Sequence, residues 1–203
     1  MKLKSLALGV ALAFPMAMMA QSGSAMNNST NKNWNHEASQ SDHAFLHKLA
    51  TEDQSEINMA KLALQKSNNP QVKQYAQSKI LNADPAMEQG AKTLAQKEGE
   101  PITANVSSRD QQEYQKLSKL SGTQFDHEYM RYEAWKQHSD LNKVEHEANV
   151  ASNPQTKDYA KAQVTPVREA SQSAEQIASS MGVGMNQSAT NHGYKTAQTP
   201  ASR

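Results

Sequence analysis

Hydrophobic residues recur at steps of three and four positions along most of the chain between residues 41 and 182. This spacing is typical of an α-helix that buries one face. It predicts four long helices, over about residues 41–66, 70–98, 123–150 and 154–181. A shorter helix is predicted over about residues 109–120. The pattern therefore predicts an all-α fold, namely a four-helix bundle with one extra short helix.

One segment of the sequence occurs twice, each time at the start of a predicted helix. Residues 67–76 read Ser-Asn-Asn-Pro-Gln-Val-Lys-Gln-Tyr-Ala, and residues 151–160 read Ala-Ser-Asn-Pro-Gln-Thr-Lys-Asp-Tyr-Ala. Asn-Pro signals a helix start, because the asparagine side chain accepts a hydrogen bond from a free backbone N–H and proline suits the first turn. The repeat predicts a helical hairpin that is used twice.

Other helix boundaries are predicted from proline and from capping motifs. Pro85 follows Asp84 within the second long helix, so we expect a kink there or a fresh helix start with Asp84 as its cap. The segments Ser107–Asp110 and Thr123–Asp126 each place an acidic residue three positions after a hydroxyl residue. This spacing resembles a capping box, which marks a helix start.

The N-terminus has the pattern of a secretory signal. Lys2 and Lys4 precede an apolar run from Leu6 to Ala20, and small residues follow. A transmembrane anchor is the alternative, but the run is shorter than the roughly 20 residues that a span needs. We therefore predict a signal peptide over residues 1–20, with cleavage as late as residue 25, and no transmembrane span in the mature chain.

The composition completes this prediction of the domains. Residues 21–40 are rich in Asn, Ser and Gln and are predicted to be a disordered linker. Residues 41–182 form the predicted bundle domain, and residues 183–203 form a predicted disordered tail. Only 36% of the residues are hydrophobic and 5% aromatic, so Ala, Leu and Met must fill the core.

Charge and cysteine content exclude several kinds of site. The net charge is +1 with dispersed lysines, which gives no basic patch for nucleic acid. There is no cysteine, so disulfides, thiolate nucleophiles and cysteine metal ligands are excluded. An envelope protein partner and self-association both remain open.

A four-helix bundle can hold a metal ion on inward-facing carboxylates and histidines. The Glu-x-x-His motif of di-iron proteins is absent, because no histidine has a glutamate three residues before it. A looser metal site is still possible from Glu56, Asp84 and His138, which fall on three different helices, for a divalent ion such as iron, zinc or manganese. The alternative is that these side chains hydrogen-bond across the bundle or face water. Further weak candidates are Glu88, Glu133 and Glu169.

From about Ser41 to Met181 the chain resembles an exported bacterial family, the domain-of-unknown-function family numbered 4142. The resemblance rests on the order and spacing of several short motifs. They are Asp42-x-x-Phe45-Leu46, Glu56 before Lys61-Leu62-Ala63, Asn69-Pro70-x-Val72-Lys73-x-x-Ala76, Phe125-Asp126-x-x-Tyr129, and His138. The resemblance implies a ferritin-like helical bundle exported to the periplasm or outer membrane, with no established activity.

The same resemblance bears on the metal site. Members of the family usually carry Asp-His in the second helix, a histidine in the third and another late in the fourth. Here Asp84 and His138 match, but Pro85 replaces the second-helix histidine and Ala170-Ser171 stands where the fourth-helix histidine is expected.

No constellation of catalytic residues stands out, so we expect a protein that is not an enzyme and has no cofactor. The predicted function is an exported helical bundle of the periplasm or cell envelope with a binding or stress-associated role. The alternative is a ferritin-like metal-binding protein or a degenerate di-metal oxidase.

Overall fold

The computed structural model describes residues 32–183, with side chains described from residue 40 onward. Within this range the chain forms helices and contains no strand, which confirms the all-α class. The elements are α1 (Lys32–Lys66), α2 (Pro70–Tyr75), a π-helical segment (Ala76–Leu81), α3 (Asp84–Lys97), α4 (Ser108–Ser118), α5 (Gly122–Val150) and α6 (Pro154–Ser180). The predicted signal peptide at residues 1–20, residues 21–31 of the linker and residues 184–203 of the tail lie outside the described residues.

The helices pack as four rods, of which α2, the π segment and α3 together form the second. Helices α5 and α6 contact each other most extensively, while α1 packs against α3 and the π segment and also contacts α5. The short α4 contacts α1 and α5. This arrangement is compatible with the predicted four-helix bundle and its extra short helix. No helix within residues 32–183 is both long enough and apolar enough to cross a membrane.

Helix α1 begins earlier than the hydrophobic pattern predicts. Its first residue is Lys32, whereas the pattern predicts a start near Ser41 and a disordered linker over residues 21–40. Residues 32–40 contain neither proline nor glycine. Once a helix has nucleated, adding further residues costs little free energy even when they are polar. The structure thus places residues 32–40 of the predicted linker in helix α1.

Val183, the first residue of the predicted tail, is part of the folded domain. Val183 is 5% exposed and packs in the main hydrophobic cluster. Its backbone N–H donates to the Ala178 carbonyl at 2.9 Å, and the N–H of Gly182 donates to the Ser179 carbonyl at 3.0 Å. Gly182 has a φ of +72°, the left-handed conformation that glycine adopts most easily. These bonds form a Schellman motif, which ends α6 and buries the valine that follows.

The Asn-Pro repeat caps helices as its sequence predicts. Asn69 Oδ1 accepts from the N–H of Gln71 at 2.9 Å, and Asn153 Oδ1 accepts from the N–H of Gln155 at 2.8 Å. Each proline occupies the first position of its helix. Because these caps depend only on neighbouring residues, the sequence alone suffices to place them.

The two predicted capping boxes differ in outcome. Ser107 Oγ accepts from the N–H of Asp110 at 3.1 Å and caps α4. The cap predicted at Thr123 is wrong, because α5 already begins at Gly122 and Ser121 takes the cap position without a side-chain hydrogen bond. Gly122 has a φ of +55°, which lets the chain enter the helix one residue before the motif.

The helix restarts before Pro85, as expected, but Asp84 is not its cap. Residue 83 is the cap position and makes no side-chain hydrogen bond, and Asp84 is the first helical residue. In a continuous α-helix the ring of Pro85 would clash with the carbonyl of Leu81. The π segment ends at that residue, and α3 starts after two turn residues. The Asp84 side chain is only 5% exposed, so it lies in the bundle interior instead of at the helix end.

Candidate functional site

Six charged side chains lie buried where α1, α3 and α5 meet, and we call this cluster the carboxylate core. Its members are Asp53 and Glu56 of α1, Asp84 of α3, and Glu133, Lys136 and Asp140 of α5. Each is at most 5% exposed. Residues three, four or seven positions apart share one face of a helix, so each helix directs its members inward together with its hydrophobic residues.

Lys136 is the ammonium group of the carboxylate core. Its Nζ lies 2.9 Å from Glu56 Oε1 and 3.7 Å from Glu52 Oε2, and it also contacts Asp140 Oδ2. Burial lowers the pKa of Lys136, but the nearby carboxylates outweigh burial and hold that pKa well above its ordinary value. Lys136 therefore stays charged inside the bundle.

Asp140 is the carboxylate that neutralises Lys136. Its second oxygen, Oδ1, lies 2.7 Å from Nζ of Lys143, which in turn lies 2.7 Å from Glu52 Oε1. Burial raises the pKa of Asp140, but the two lysines outweigh burial and bring that pKa below its ordinary value. Asp140 and Lys136 thus form a buried ion pair, an arrangement that depends on keeping both partners.

Glu133 is fully buried and is held by a tyrosine of the repeat. The Tyr75 hydroxyl donates to Glu133 Oε2 at 3.1 Å. Burial raises the pKa of Glu133 to about 8, although the Tyr75 hydrogen bond and the charge of Lys136 act in the opposite direction. At neutral pH the folded protein therefore holds Glu133 mostly in its protonated form.

Asp53 and Asp84 each have a buried oxygen, Oδ2, with no hydrogen-bond partner. Both residues line a cavity of about 10 Å³, together with Glu56 and Asp140. This is close to the space that a single water molecule needs. Burial raises the pKa of both aspartates well above the ordinary value, and for Asp84 the neighbouring Asp53 adds to the rise. An ionised carboxylate oxygen without a partner is costly in such a place, whereas a proton or a cation would satisfy it.

Glu56 contacts both the buried ammonium group and an uncharged amide. Its Oε1 faces Lys136 at 2.9 Å, and its Oε2 accepts a hydrogen bond from the Gln137 amide. Burial still raises its pKa well above the ordinary value, despite the lowering by Lys136. The carboxylate core thus contains one ammonium group paired with Asp140, and four other carboxyl groups that hold protons more tightly than exposed ones. This arrangement can store protons or exchange them for a cation.

The structure brings together two of the three predicted metal ligands. Glu56 and Asp84 line the same cavity. The His138 side chain is 55% exposed, and its Nδ1 lies 3.5 Å from Glu175 Oε1 on the outside of the bundle. Successive helical residues point about 100° apart, so an inward Gln137 turns its neighbour His138 away. Among the described residues, no three His, Asp or Glu side chains are positioned to hold one metal ion.

The three weaker candidate metal ligands, Glu88, Glu133 and Glu169, do not form one site either. Glu133 joins the carboxylate core, whereas Glu88 contacts Lys92 and Glu169 Oε2 lies 3.0 Å from Lys79 Nζ. The side chain of Glu169 is 59% exposed. These two glutamates therefore form ion pairs with lysines near the surface.

Lys136, Gln137 and Asp140 are absent from the sequence-based prediction of the site. The signal that could have found them is their spacing from Glu133, at three, four and seven positions along α5. Val144 continues the same face and is fully buried. Polar residues that continue a buried face indicate a polar interior.

Comparisons with known proteins give one family and a structural neighbour. The structural neighbour is a crystal structure of a protein from Streptomyces coelicolor, described as a DUF305 protein that is thought to be secreted. It matches with a TM-score of 0.62 and 13% sequence identity, and the match covers 73% of this chain and 96% of that chain. At this identity the likeness shows the fold alone. A search of curated proteins finds no match. The sequence model of DUF4142, a domain of unknown function, matches residues 27–177 of the 203 residues, and the chain therefore belongs to the DUF4142 family.

Proposed function

We propose that this protein is an exported, non-catalytic helical bundle of the periplasm or cell envelope that is adapted to acid. Export is supported by the basic and apolar N-terminal pattern of residues 1–20 and by the neighbour that is thought to be secreted. An exported protein meets the pH of the cell's surroundings without cytoplasmic buffering. Its role is to stay folded and to bind its ligand or partner in an acidic medium.

The observation that supports the acid-adapted role is the excess of carboxyl groups over ammonium groups in the carboxylate core. Burial raises the pKa of Asp53, Glu56, Asp84 and Glu133 above their ordinary values. The folded state therefore binds protons that the unfolded chain releases near neutral pH. A carboxyl group of this kind contributes stability that is complete below its unfolded pKa and is lost as the pH rises through its folded pKa.

The test is the free energy of unfolding of the wild-type protein in urea, measured between about pH 4.5 and pH 8. We expect stability to fall as the pH rises across this window, with protons released on unfolding. The slope reports the number of protons directly. A stability that is flat, or that rises from about pH 4.5 to pH 8, would refute the proposal.

A second candidate function is the binding of a divalent cation, and the unpartnered oxygens of Asp53 and Asp84 favour it. The donor set would be carboxylate oxygens, which suits manganese or magnesium better than zinc. Because the described side chains do not yet converge on one point, binding requires the carboxylates to lose protons and close on the cavity. Its ligands would be Asp53, Glu56 and Asp84, which line the same cavity, and His138 would take no part.

Metal binding is tested by calorimetric titration of the wild type with manganese, alongside Asp84→Asn and His138→Ala. We expect Asp84→Asn to abolish binding and His138→Ala to leave it unchanged. Loss of binding in His138→Ala would instead support the three-ligand site expected from the sequence. A wild type that binds no manganese at about pH 8, where the carboxyl groups are most ionised, would exclude this function.

A further inference from the structure

A second site lies on the opposite side of α1 from the carboxylate core's cavity, in an open groove between α1 and α4. Its volume is about 640 Å³, within the range of small-molecule sites. Most of its lining comes from one face of each helix, at steps of three and four residues. These residues are Ser55, Asn58, Lys61 and Gln65 of α1, and Asp110, Gln111, Tyr114 and Gln115 of α4.

The lining of this groove is rich in uncharged amides. Asn58, Gln65, Gln111 and Gln115 each offer two N–H donors and a carbonyl acceptor. Gln111 Nε2 donates to the Val106 carbonyl at 2.9 Å, which holds that side chain against the loop before α4. Side-chain amides in a concave site can hydrogen-bond a polar ligand, while the apolar parts of the same lining can pack against its carbon skeleton.

Ser55 adds a buried hydroxyl to the same surface. It is 1% exposed, and its Oγ has no hydrogen-bond partner. A buried hydroxyl without a partner is less stable than one that is hydrogen-bonded. A ligand hydroxyl that reaches the floor of the groove would satisfy it.

Tyr114 gives the groove an aromatic surface. It is 39% exposed, and among the described residues only Val150 is another exposed large hydrophobic residue. A tyrosine ring combines a flat apolar face with a polar hydroxyl and loses little conformational entropy when a ligand packs on it.

We propose that the groove between α1 and α4 binds a short neutral oligosaccharide. Sugar hydroxyls both donate and accept hydrogen bonds, as side-chain amides do, and the C–H face of a sugar ring packs on an aromatic ring. The groove is poorly suited to an anion, because its lining contains the negative charge of Asp110 as well as the positive charge of Lys61. Asp110 Oδ2 also accepts a hydrogen bond from Ser107 Oγ at 2.8 Å. This inference does not depend on the proposed role of the carboxylate core.

The test is an NMR titration of the full mature chain with cellotetraose, with chitotetraose and with inorganic phosphate. We expect at least one oligosaccharide to shift the side-chain amide signals of Asn58, Gln65, Gln111 and Gln115 in a saturable manner. Phosphate should leave these signals unchanged. Comparison of the two sugars shows whether the groove prefers N-acetylated units.

Variants separate the aromatic contact from general effects on the fold. Tyr114→Ala should weaken sugar binding about tenfold, because the ring contact is lost, and Tyr114→Phe should restore it. Gln96→Ala, at an exposed amide of α3, is the matched control and should bind like the wild type. The proposal is overturned if neither sugar shifts the groove amides, if phosphate shifts them instead, or if Tyr114→Ala binds as tightly as the wild type.

Discussion

Replacing Glu133 by glutamine isolates one carboxyl group of the carboxylate core. Glutamine keeps the length of the side chain and an oxygen that can accept from the Tyr75 hydroxyl, but it does not titrate. The pKa of Glu133 is about 8 in the folded protein, against an ordinary value of 4.5. Because the folded value is raised, the stability contributed by this group is complete below about pH 4.5 and is lost as the pH rises to about 8.

The magnitude follows from the two pKa values. A difference of about 3.5 between them corresponds to about 5 kcal/mol of stability lost across the window, or about 1.4 kcal/mol for each pH unit. The charges that face Glu133, chiefly Lys136 and Asp140, remain in the variant. Glu133→Gln should therefore match the wild type near pH 4.5 and become more stable than the wild type by several kcal/mol near pH 8.

The assay is urea unfolding followed by circular dichroism at several pH values between about 4.5 and 8. Glu169→Gln is the matched control, because it makes the same substitution at a side chain that is 59% exposed and lies outside the carboxylate core. We expect the slope of stability against pH to become flatter by about one proton in Glu133→Gln and to stay unchanged in the control. Parallel curves for Glu133→Gln and the wild type would refute the reasoning.

Two further substitutions test the buried ion pairs of Lys136 and the packing of α3 against α6. Lys136→Met removes the buried ammonium group that lies 2.9 Å from Glu56 Oε1. It should lower the free energy of unfolding by about 3–5 kcal/mol near pH 8, and by less near pH 4.5, where the carboxyl groups are protonated. Stability equal to that of the wild type near pH 8, measured by urea unfolding, would contradict this prediction. Gly90→Ala places a Cβ 2.8 Å from Cε2 of the Tyr159 ring. The Tyr159 hydroxyl donates to the Met87 carbonyl at 2.5 Å, which holds the ring in place. The clash should cost about 1–3 kcal/mol and outweigh the gain of about 1 kcal/mol from helix propensity, so a raised melting temperature would argue against it.

Local sequence signals were sufficient for much of the fold. The caps at Asn69 and Asn153, the helix restart before Pro85 and the end of α6 at Gly182 depend on neighbouring residues only. The period of hydrophobic residues was sufficient for the long helices, because each buries one continuous face. The polar N-terminal turns of α1 could not be predicted in this way, since no buried face marks them.

The carboxylate core was only partly predictable, for two physical reasons. Glu56 and Asp84 were predicted because carboxylates on neighbouring helices suggest a common site, and the structure places both at one cavity. Lys136 and Asp140 were missed because burying charged residues is costly, and the pattern of buried residues is read from apolar ones. His138 belongs to a helix that faces the core, but its rotation around the helix axis places it outside.

The inward direction of the Asp84 side chain also depends on the π segment, which precedes α3 in the chain. A π-helical turn holds more residues than an α-helical turn, so it rotates the chain that follows relative to a regular helix. The single-sequence pattern contains no signal for such a turn apart from Pro85. The inward position of Asp84 therefore required the structure.

The central claim is that carboxyl groups inside the bundle hold protons at neutral pH. The most direct measurement is a carbon NMR titration of the Glu133 side-chain carboxyl in the folded protein. We predict the chemical shift of a protonated acid at about pH 6 and a midpoint at about pH 8. The shift of an ionised carboxylate at about pH 6 would contradict the claim.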